Sequence, residues 1–146
     1  DLADIVSRIV DDAVRGGQNV TLLPIDPSLD EVSVPLRPLA VRRALENLIG
    51  NALRYGGTLA QVSVALTDRT FRITVEDNGP GIPADKREEA MRPFTRLDPA
   101  RNQNTGTGVG LGLAIVADIA RLHGGVLRLS ESPTLGGLRA DIVMAR

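Results

Sequence analysis

The chain has 146 residues, 17 basic and 18 acidic side chains, one histidine and no cysteine. This length suits a single domain with a sizeable core, and the lack of cysteine excludes disulfides and thiolate metal sites. The near-neutral charge, with scattered arginines, disfavours nucleic acid as a partner, and no apolar run approaches the ~20 residues of a membrane span. We therefore expect a cytoplasmic domain without membrane contact. The first residue, Asp1, favours an excised segment of a longer protein.

The first part of the chain alternates helical and extended patterns. Apolar residues recur at helical spacing over Asp1–Arg15, and Gly16-Gly17 should end this amphipathic helix. Val20–Leu23 and Val32–Val34 are short β candidates. A second helix is predicted from about Leu39 to Tyr55, with Pro38 suited to its first turn and Gly56-Gly57 stopping it.

The second part predicts a hairpin, a helix and two final strands. Alternation predicts strands at Gln61–Leu66 and Phe71–Glu76, joined through Thr67–Arg69. A third long helix should occupy Leu111–His123, followed by strands Val126–Ser130 and Leu138–Met144. The predicted fold is α+β, a two-layer α/β sandwich in which about three helices cover one face of a mixed sheet of about five strands.

The second helix carries two amides and a guanidinium on one face. Its apolar stripe, expected to face the sheet, consists of Val41, Leu45, Leu48 and Ala52. Asn47, Asn51 and Arg54 fall on a different face. The Asn51 amide oxygen can join a Mg²⁺ shell, while Arg54 and Tyr55 can donate to phosphate oxygens. Taken alone, the asparagines could equally be the solvated side of a surface helix.

An Asp-x-Gly-x-Gly segment, Asp77–Gly81, follows the strand Phe71–Glu76. A carboxylate at a strand end can accept a hydrogen bond from the exocyclic amine of adenine, a donor that guanine lacks at that edge. The glycines allow the backbone to approach the ring, and Ile82 can supply an apolar wall. The alternative interpretation is an ordinary Asp-Asn-Gly turn.

A glycine ladder at Gly106–Gly112 opens the third helix, where backbone N–H groups favour phosphate. A dinucleotide-binding fold would need a hydrophobic strand just before it, but Arg101–Thr105 is polar. A Walker loop would need Gly-Lys-Ser/Thr, which does not follow. The run from Asp98 to Thr107 is predicted to be a mobile lid, which Pro93-Phe94 with Arg96 could anchor. Together the segments supply a metal ligand, a base-edge carboxylate and flexible backbone for phosphates, which indicates ATP binding.

In this order the segments resemble the N, G1, F and G2 boxes of bacterial sensor histidine kinases, and most of all the EnvZ-like osmosensor type. The matching segments are Glu46–Ala52, Asp77–Gly81, Arg92–Arg96 and Gly108–Leu113, and the similarity extends over essentially the whole chain. The resemblance implies the Bergerat (GHKL) fold shared with gyrase and Hsp90, with ATP and Mg²⁺ as cofactors. One departure is Asn102–Thr107, which is slightly long for the lid.

The resemblance also implies roles for individual residues. Asn51 would be the Mg²⁺ ligand, Asn51 and Arg54 the catalytic pair, and Asp77 the adenine contact. The remaining residues implied to line the nucleotide are Asn47, Ala52, Leu53, Tyr55, Gly79, Gly81, Ile82, Arg96, Leu97, Thr107, Gly108, Val109, Gly110, Leu111, Gly112 and Leu113.

By the same resemblance, the chain is expected to be, over residues 1–146, a catalytic and ATP-binding domain whose phosphoacceptor hairpin is absent. It would transfer the γ-phosphoryl group to a histidine on that separate hairpin, with a response regulator downstream and an inner-membrane sensor as the parent. Asp1–Arg15 would follow the hairpin. The sole histidine, His123, lies at a helix end before Gly124-Gly125, so we expect a capping or packing role rather than phosphoacceptance.

Three other functions are compatible with an ATP-binding domain of this kind. Hydrolytic ATPases of this fold place a general-base Glu where this chain has Asn47, and an amide takes no proton at neutral pH. Glu46 points about 140° around the helix from Asn51 and should not substitute. Anti-sigma-type serine kinases also use that Glu. A non-catalytic nucleotide-sensing module stays open on sequence grounds.

Overall fold

The computed structural model describes residues 2–29, 34–54, 57–67, 69–91 and 108–146. Its helices are α1 (Leu2–Arg15), α2 (Pro38–Arg54), α3 (Arg87–Ala90) and α4 (Gly108–Leu122), with short 3-10 turns at Pro27–Leu29 and Ala84–Lys86. Its strands are β1 (Val20–Leu22), β2 (Ala60–Leu66), β3 (Thr70–Asp77), β4 (Val126–Glu131) and β5 (Leu138–Ala145).

The five described strands form one mixed sheet in the order β1-β2-β3-β5-β4. β1 runs parallel to β2, with Val20 opposite Ala60, and the other neighbouring pairs are antiparallel. β2 and β3 form the predicted hairpin, closed by a hydrogen bond from Thr67 N to Thr70 O of 2.9 Å. The predicted two-layer α+β sandwich is confirmed.

The core lies between the sheet and the helices that cover one of its faces. Along β3, Phe71, Ile73 and Val75 are buried on that face, as the two-residue period of a strand requires. All four residues of the predicted α2 stripe are buried, at 0% to 6% exposure. Helix α2 packs on β2 and β3 and also against α1 and α4. Its rotation is therefore fixed by burial, which leaves Asn47, Asn51 and Arg54 on a different side.

Several predicted boundaries hold and others need correction. Helix α2 begins at Pro38, and α1 and α4 end near the predicted glycines, with positive φ at Gly17 (91°) and Gly124 (72°). Helix α4 begins at Gly108 rather than Leu111, because burial of its later turns outweighs the poor helix propensity of glycine. Val34 lies outside any strand, contrary to prediction, while Val32 falls outside the described residues.

Helix α3 was not predicted. Its residues are mostly charged and carry no apolar period, and only Ala90 is buried. No helix in the described part of the chain has both the length and the apolar character needed to cross a membrane.

Replacing glycine by alanine is expected to have opposite effects on stability at Gly50 and at Gly125. A Cβ at Gly50, inside α2, would meet nothing within 4 Å, so Gly50→Ala should raise the free energy of unfolding by about 0.5–1 kcal/mol. A Cβ at Gly125 would lie 1.7 Å from the Val143 carbonyl oxygen. Gly125→Ala should therefore lower stability by about 1–3 kcal/mol. Urea unfolding of both variants measures this, and a stable Gly125→Ala would contradict the close approach of the two backbones.

Candidate nucleotide-binding site

Asn51 of α2 meets the glycine ladder at the start of α4. A Cβ on Gly112 would lie 3.0 Å from Asn51 Nδ2 and 3.5 Å from Oδ1, so glycine lets the two helices come this close. Asn51 is half-buried, and its Nδ2 is a buried donor without a hydrogen-bond partner in the described part of the chain. Buried polar groups are nearly always satisfied, so an orphan amide at a helix contact indicates a place for a ligand or water.

The neighbours of Asn51 on α2 differ in exposure. Asn47, one turn earlier, is half-buried, and Arg54, one turn later, is exposed. Glu46 is also exposed, and its carboxylate lies 3.8 Å from the Arg42 guanidinium, which in turn pairs with Asp12 at 2.9 Å. Glu46 is thus engaged on the side of α2 that carries Arg42, as its position on the helical wheel predicts. Ala52 is buried in the core and Leu53 is half-buried.

Asp77 ends β3 and is only 7% exposed. Its Oδ1 accepts hydrogen bonds from the backbone N–H groups of Gly79 (2.9 Å) and Leu138 (3.1 Å). Both of these bonds use Oδ1, so Oδ2 is the oxygen that can accept from a ligand. The backbone of Gly137 runs against the same carboxylate, since a Cβ there would lie 2.2 Å from Oδ1. The Asp77 side chain is therefore held in one orientation by the start of β5.

The loop after Asp77 turns sharply into the core. Gly81 has a positive φ of 73° and packs against the Gly137 backbone, where a Cβ would lie 3.4 Å from its carbonyl carbon. Ile82 is 8% exposed and belongs to the main apolar cluster, and Arg87 donates from Nε to its carbonyl at 3.0 Å. The predicted apolar wall is thus continuous with the core.

Asn78 forms a network that the sequence did not reveal. Its Oδ1 accepts from the N–H groups of Thr58 (2.8 Å) and Leu59 (3.1 Å), and its Nδ2 donates to Thr58 Oγ1 (2.8 Å). Asn19 donates to the Thr58 carbonyl at 2.7 Å. A Cβ on the adjacent Gly57 would lie 2.3 Å from the Ala52 carbonyl oxygen. The network therefore fastens the segment between α2 and β2 to the Asp77 loop.

A buried carboxylate supports the other side of this loop. Glu76 is 8% exposed and accepts a 3.0 Å hydrogen bond from Ser132 Oγ, which itself accepts from Leu135 N at 3.0 Å. Ser132 N also donates to the Gly137 carbonyl at 2.8 Å. These bonds fix the β4–β5 connection, and with it the Gly137 backbone that lies against Asp77.

The glycine ladder is partly helical. Gly108, Val109, Gly110 and Leu111 form the first turn of α4, where backbone N–H groups lack helical partners. Gly112 is half-buried and Leu113 is fully buried in the core. Four predicted site residues lie outside the described residues: Tyr55, Arg96, Leu97 and Thr107. The predicted Pro93-Phe94 anchor and the predicted lid from Asp98 to Thr107 also lie outside them.

Within the described ranges, no cluster of three or more His, Cys, Asp or Glu side chains is arranged to hold a metal ion. The metal role predicted for Asn51 needs no such cluster, because Mg²⁺ commonly takes one or two protein oxygens together with waters and phosphate oxygens.

Comparison with known sequences identifies a family for the chain and sensor histidine kinases among its relatives. Residues 37–144 match the family model described as histidine kinase-, DNA gyrase B-, and HSP90-like ATPase. The chain is 47% identical over 105 residues to the sensor histidine kinase CpxA of Escherichia coli (strain K12), a match that covers 72% of this chain and 22% of CpxA. It is 37% identical over 147 residues to the sensor-type histidine kinase PrrB of Mycobacterium tuberculosis (strain H37Rv), covering 95% of this chain and 30% of PrrB. The chain thus spans less than a third of these relatives.

Solved structures agree with the sequence comparison. The ATP binding domain of PrrB from Mycobacterium tuberculosis superposes with a TM-score of 0.79 at 31% identity, covering 99% of this chain and 93% of that one. The histidine kinase domain of the Escherichia coli osmosensor EnvZ superposes with a TM-score of 0.65 at 33% identity, covering 97% of this chain and 83% of that one. The predicted resemblance to sensor histidine kinases is confirmed.

The Asn78 network predicts a stability effect specific to this loop. Asn78→Ala removes three hydrogen bonds at an exposed site, and we expect the free energy of unfolding to fall by about 1–2 kcal/mol. Amide hydrogen exchange at Thr58 and Leu59 should accelerate, because both N–H groups lose their acceptor. Gln18→Ala, at an exposed position near Asn19, is the control and should change neither quantity. Unchanged exchange in Asn78→Ala would contradict the network.

Proposed function

Because the chain belongs to the family of histidine kinase-, DNA gyrase B-, and HSP90-like ATPases, we propose that it is the catalytic domain of a sensor histidine kinase. In this role residues 1–146 bind ATP with Mg²⁺ and transfer its γ-phosphoryl group to a histidine on a separate phosphoacceptor domain. The observation that carries the proposal is the Asp77 carboxylate, which is buried at a strand end and held by two backbone N–H groups through one oxygen. Such a group is built to accept one directed hydrogen bond.

The proposed partner of Asp77 is the exocyclic amine of adenine, which donates to Oδ2. Guanine presents a carbonyl oxygen at that edge, and two acceptors facing each other in a buried site repel. The same arrangement therefore explains binding and base selection. Gly79, Gly81 and Ile82 are proposed to form the backbone and apolar surface around the ring.

The proposed phosphate end of the site lies between α2 and α4. The side-chain oxygen Oδ1 of Asn51, which lies beside Gly112 at the start of α4, offers a hard oxygen ligand for Mg²⁺, and such a ligand fits the ion when phosphates and water complete the shell. Mg²⁺, when bound, neutralises charge on the phosphates. Arg54 is exposed and in no ion pair in the described part of the chain, so its guanidinium can donate to phosphate oxygens. The N–H groups from Gly108 to Gly112 are aligned with the positive end of the α4 dipole.

Further residues keep their predicted roles in this proposal. Asn47, Ala52, Leu53 and Leu113 complete the α2–α4 side, and Tyr55, Arg96, Leu97 and Thr107 are proposed to contact the nucleotide. The acceptor imidazole attacks the γ-phosphorus in line, the bond to the β-phosphate oxygen breaks, and ADP leaves. A response regulator is the proposed next recipient of the phosphoryl group.

The acceptor histidine must be supplied by another segment. His123 is the sole histidine of the sequence, and it is 9% exposed with both ring nitrogens hydrogen-bonded. It has the packing role predicted for it, and neither nitrogen is free to attack a phosphorus atom.

Two observations favour phosphotransfer over hydrolysis. The position used by a general-base Glu in hydrolytic relatives is Asn47, and the adjacent Glu46 is exposed and near Arg42. No carboxylate on this part of α2 is therefore placed to activate water or a serine hydroxyl. The same point disfavours an anti-sigma-type serine kinase, while a non-catalytic nucleotide-sensing module would bind ATP but transfer nothing.

The adenine assignment predicts the effect of an isosteric change. In Asp77→Asn, the amide oxygen can keep the hydrogen bonds from Gly79 and Leu138, while an NH₂ group replaces Oδ2. We expect ATP affinity to fall about 10- to 100-fold with or without Mg²⁺, since a donor then faces the adenine amine. Calorimetry measures the dissociation constants, and thermal unfolding verifies the fold. Undiminished ATP binding would refute the assignment of Asp77.

Asn51→Ala serves as the complementary test of the phosphate end. It should lower ATP affinity about tenfold or more in Mg²⁺ and leave the affinity in EDTA nearly unchanged, because the lost group is a metal ligand. An equal loss under both conditions would contradict a metal role for Asn51.

Transfer itself is tested by supplying the acceptor. The isolated chain with labelled ATP and Mg²⁺ should acquire no acid-labile phosphate, whereas a purified histidine hairpin from the parent protein should become labelled when the chain is added. Label on His123 would overturn the separate-acceptor proposal, and ATP binding without any transfer to the hairpin would favour the sensing module.

A further inference from the structure

His123 joins the two helices of the proposed site at the end far from the nucleotide. It follows the last residue of α4, and its Nε2 accepts a 3.0 Å hydrogen bond from the backbone N–H of Arg37. Its Nδ1 lies 2.8 Å from the carbonyl oxygen of Ile119. Because Nε2 accepts, the ring is neutral with its proton on Nδ1, and Nδ1 donates to Ile119.

The partner of His123 is the first capping position of α2. Arg37 immediately precedes Pro38, where α2 begins, and its carbonyl accepts the first helical hydrogen bond, from Val41 N at 3.0 Å. The backbone of His123 is also held in place, because its carbonyl accepts a 2.9 Å hydrogen bond from the backbone N–H of Ala145. His123 therefore links the N-terminus of α2 to the C-terminus of α4 and to the end of β5.

Among the contacts of α2 with α4 in the described residues, one lies near each end of the helix pair. His123 meets Arg37 at one end, and Asn51 meets Gly112 at the other, so α2 and α4 run antiparallel. At a rise of about 1.5 Å per residue, these contacts are about 20 Å apart along α2. If α4 slides along α2, the His123 bond breaks and the spacing between Asn51 and the first turn of α4 changes.

We propose that His123 is a positioning residue for the nucleotide site, which sets the axial register of α4 against α2. This inference rests on the proposed function, in which Asn51 and the start of α4 bind Mg²⁺ and phosphate. The adenine end is held differently, by the hydrogen bonds that the backbone N–H groups of Gly79 and Leu138 donate to Asp77 and by the Asn78 network. Loss of the His123 bond should therefore weaken the contacts with the phosphates and Mg²⁺ and leave the adenine part of the binding intact.

Two amide substitutions separate the two ring nitrogens. His123→Gln places an amide near the position of Nε2 and can still accept from Arg37, whereas His123→Asn reaches only the Nδ1 position and keeps the donor to Ile119. His123→Leu removes both bonds. We expect Mg²⁺-ATP affinity within about twofold of the unmodified chain for Gln, and about fivefold or more weaker for Asn and Leu. Adenosine, which has no phosphates, should bind all four proteins with the same affinity.

Phe71→Leu is the matched control for stability alone. Phe71 is fully buried and pairs with Met144, next to the Ala145 that bonds His123. This variant should lower the unfolding midpoint without changing Mg²⁺-ATP affinity. Equal Mg²⁺-ATP affinity in His123→Asn and the unmodified chain would overturn the proposal, as would an equal loss in Phe71→Leu. If the unmodified chain itself fails to bind ATP, the proposed function fails first; if His123→Leu does not fold, the Gln and Asn pair decides.

Discussion

The packing of α2 against the sheet is the constraint on which the rest of the site depends. Val41 and Leu45 are fully buried, so burial sets the rotation of the helix about its own axis. A shift of one residue would turn the helix by about 100° and carry its amides into the apolar core, where their desolvation is costly. With that rotation fixed, Asn51 meets α4 while Arg54 remains exposed. The polar face of α2 is thus a consequence of its apolar face.

Close backbone approach is the second organising feature, and three glycines show it next to Asn51, next to Asp77 and at the end of α2. A Cβ would fall 3.0 Å from Asn51 at Gly112, 2.2 Å from Asp77 at Gly137, and 2.3 Å from the Ala52 carbonyl at Gly57. At Gly112 and Gly137 the glycine backbone lies directly against a candidate site residue, and at Gly57 it lies against the end of α2, the helix that carries Asn51. Backbone atoms in such close contact cannot move easily, so the Asp77 carboxylate is held in one orientation. Under the proposed function, this orientation limits the entropy lost when ATP binds.

Local patterns predicted the parts of this structure that are governed by local physics. Periodicity located α1, α2 and the strands β2 to β5, because burial on one face imposes a period of 3.6 or 2 on the sequence. It could not predict that Asn78 holds Thr58, 20 residues away, or that His123 holds Arg37, 86 residues away, since a tertiary contact leaves no period in either segment. The early start of α4 was missed for a related reason: tertiary burial overrides the weak helix propensity of glycine. Asn51 and Asp77 were predicted to be site residues because spaced motifs marked them, whereas Gly57 was interpreted only as a helix stop.

Under the proposed function, the absence of a base on this part of α2 has a mechanistic consequence. Water can enter a phosphate site that is partly exposed, and a nearby carboxylate would turn it into a nucleophile. Asn47 takes no proton, and Glu46 is near Arg42 on the exposed side of the helix. The neutral imidazole of an incoming histidine needs no such base, because its ring nitrogen already carries a lone pair. The side chains of α2 therefore favour transfer to an acceptor whose nucleophile needs no base from this domain. ATP bound at this site would then react with that acceptor rather than with water.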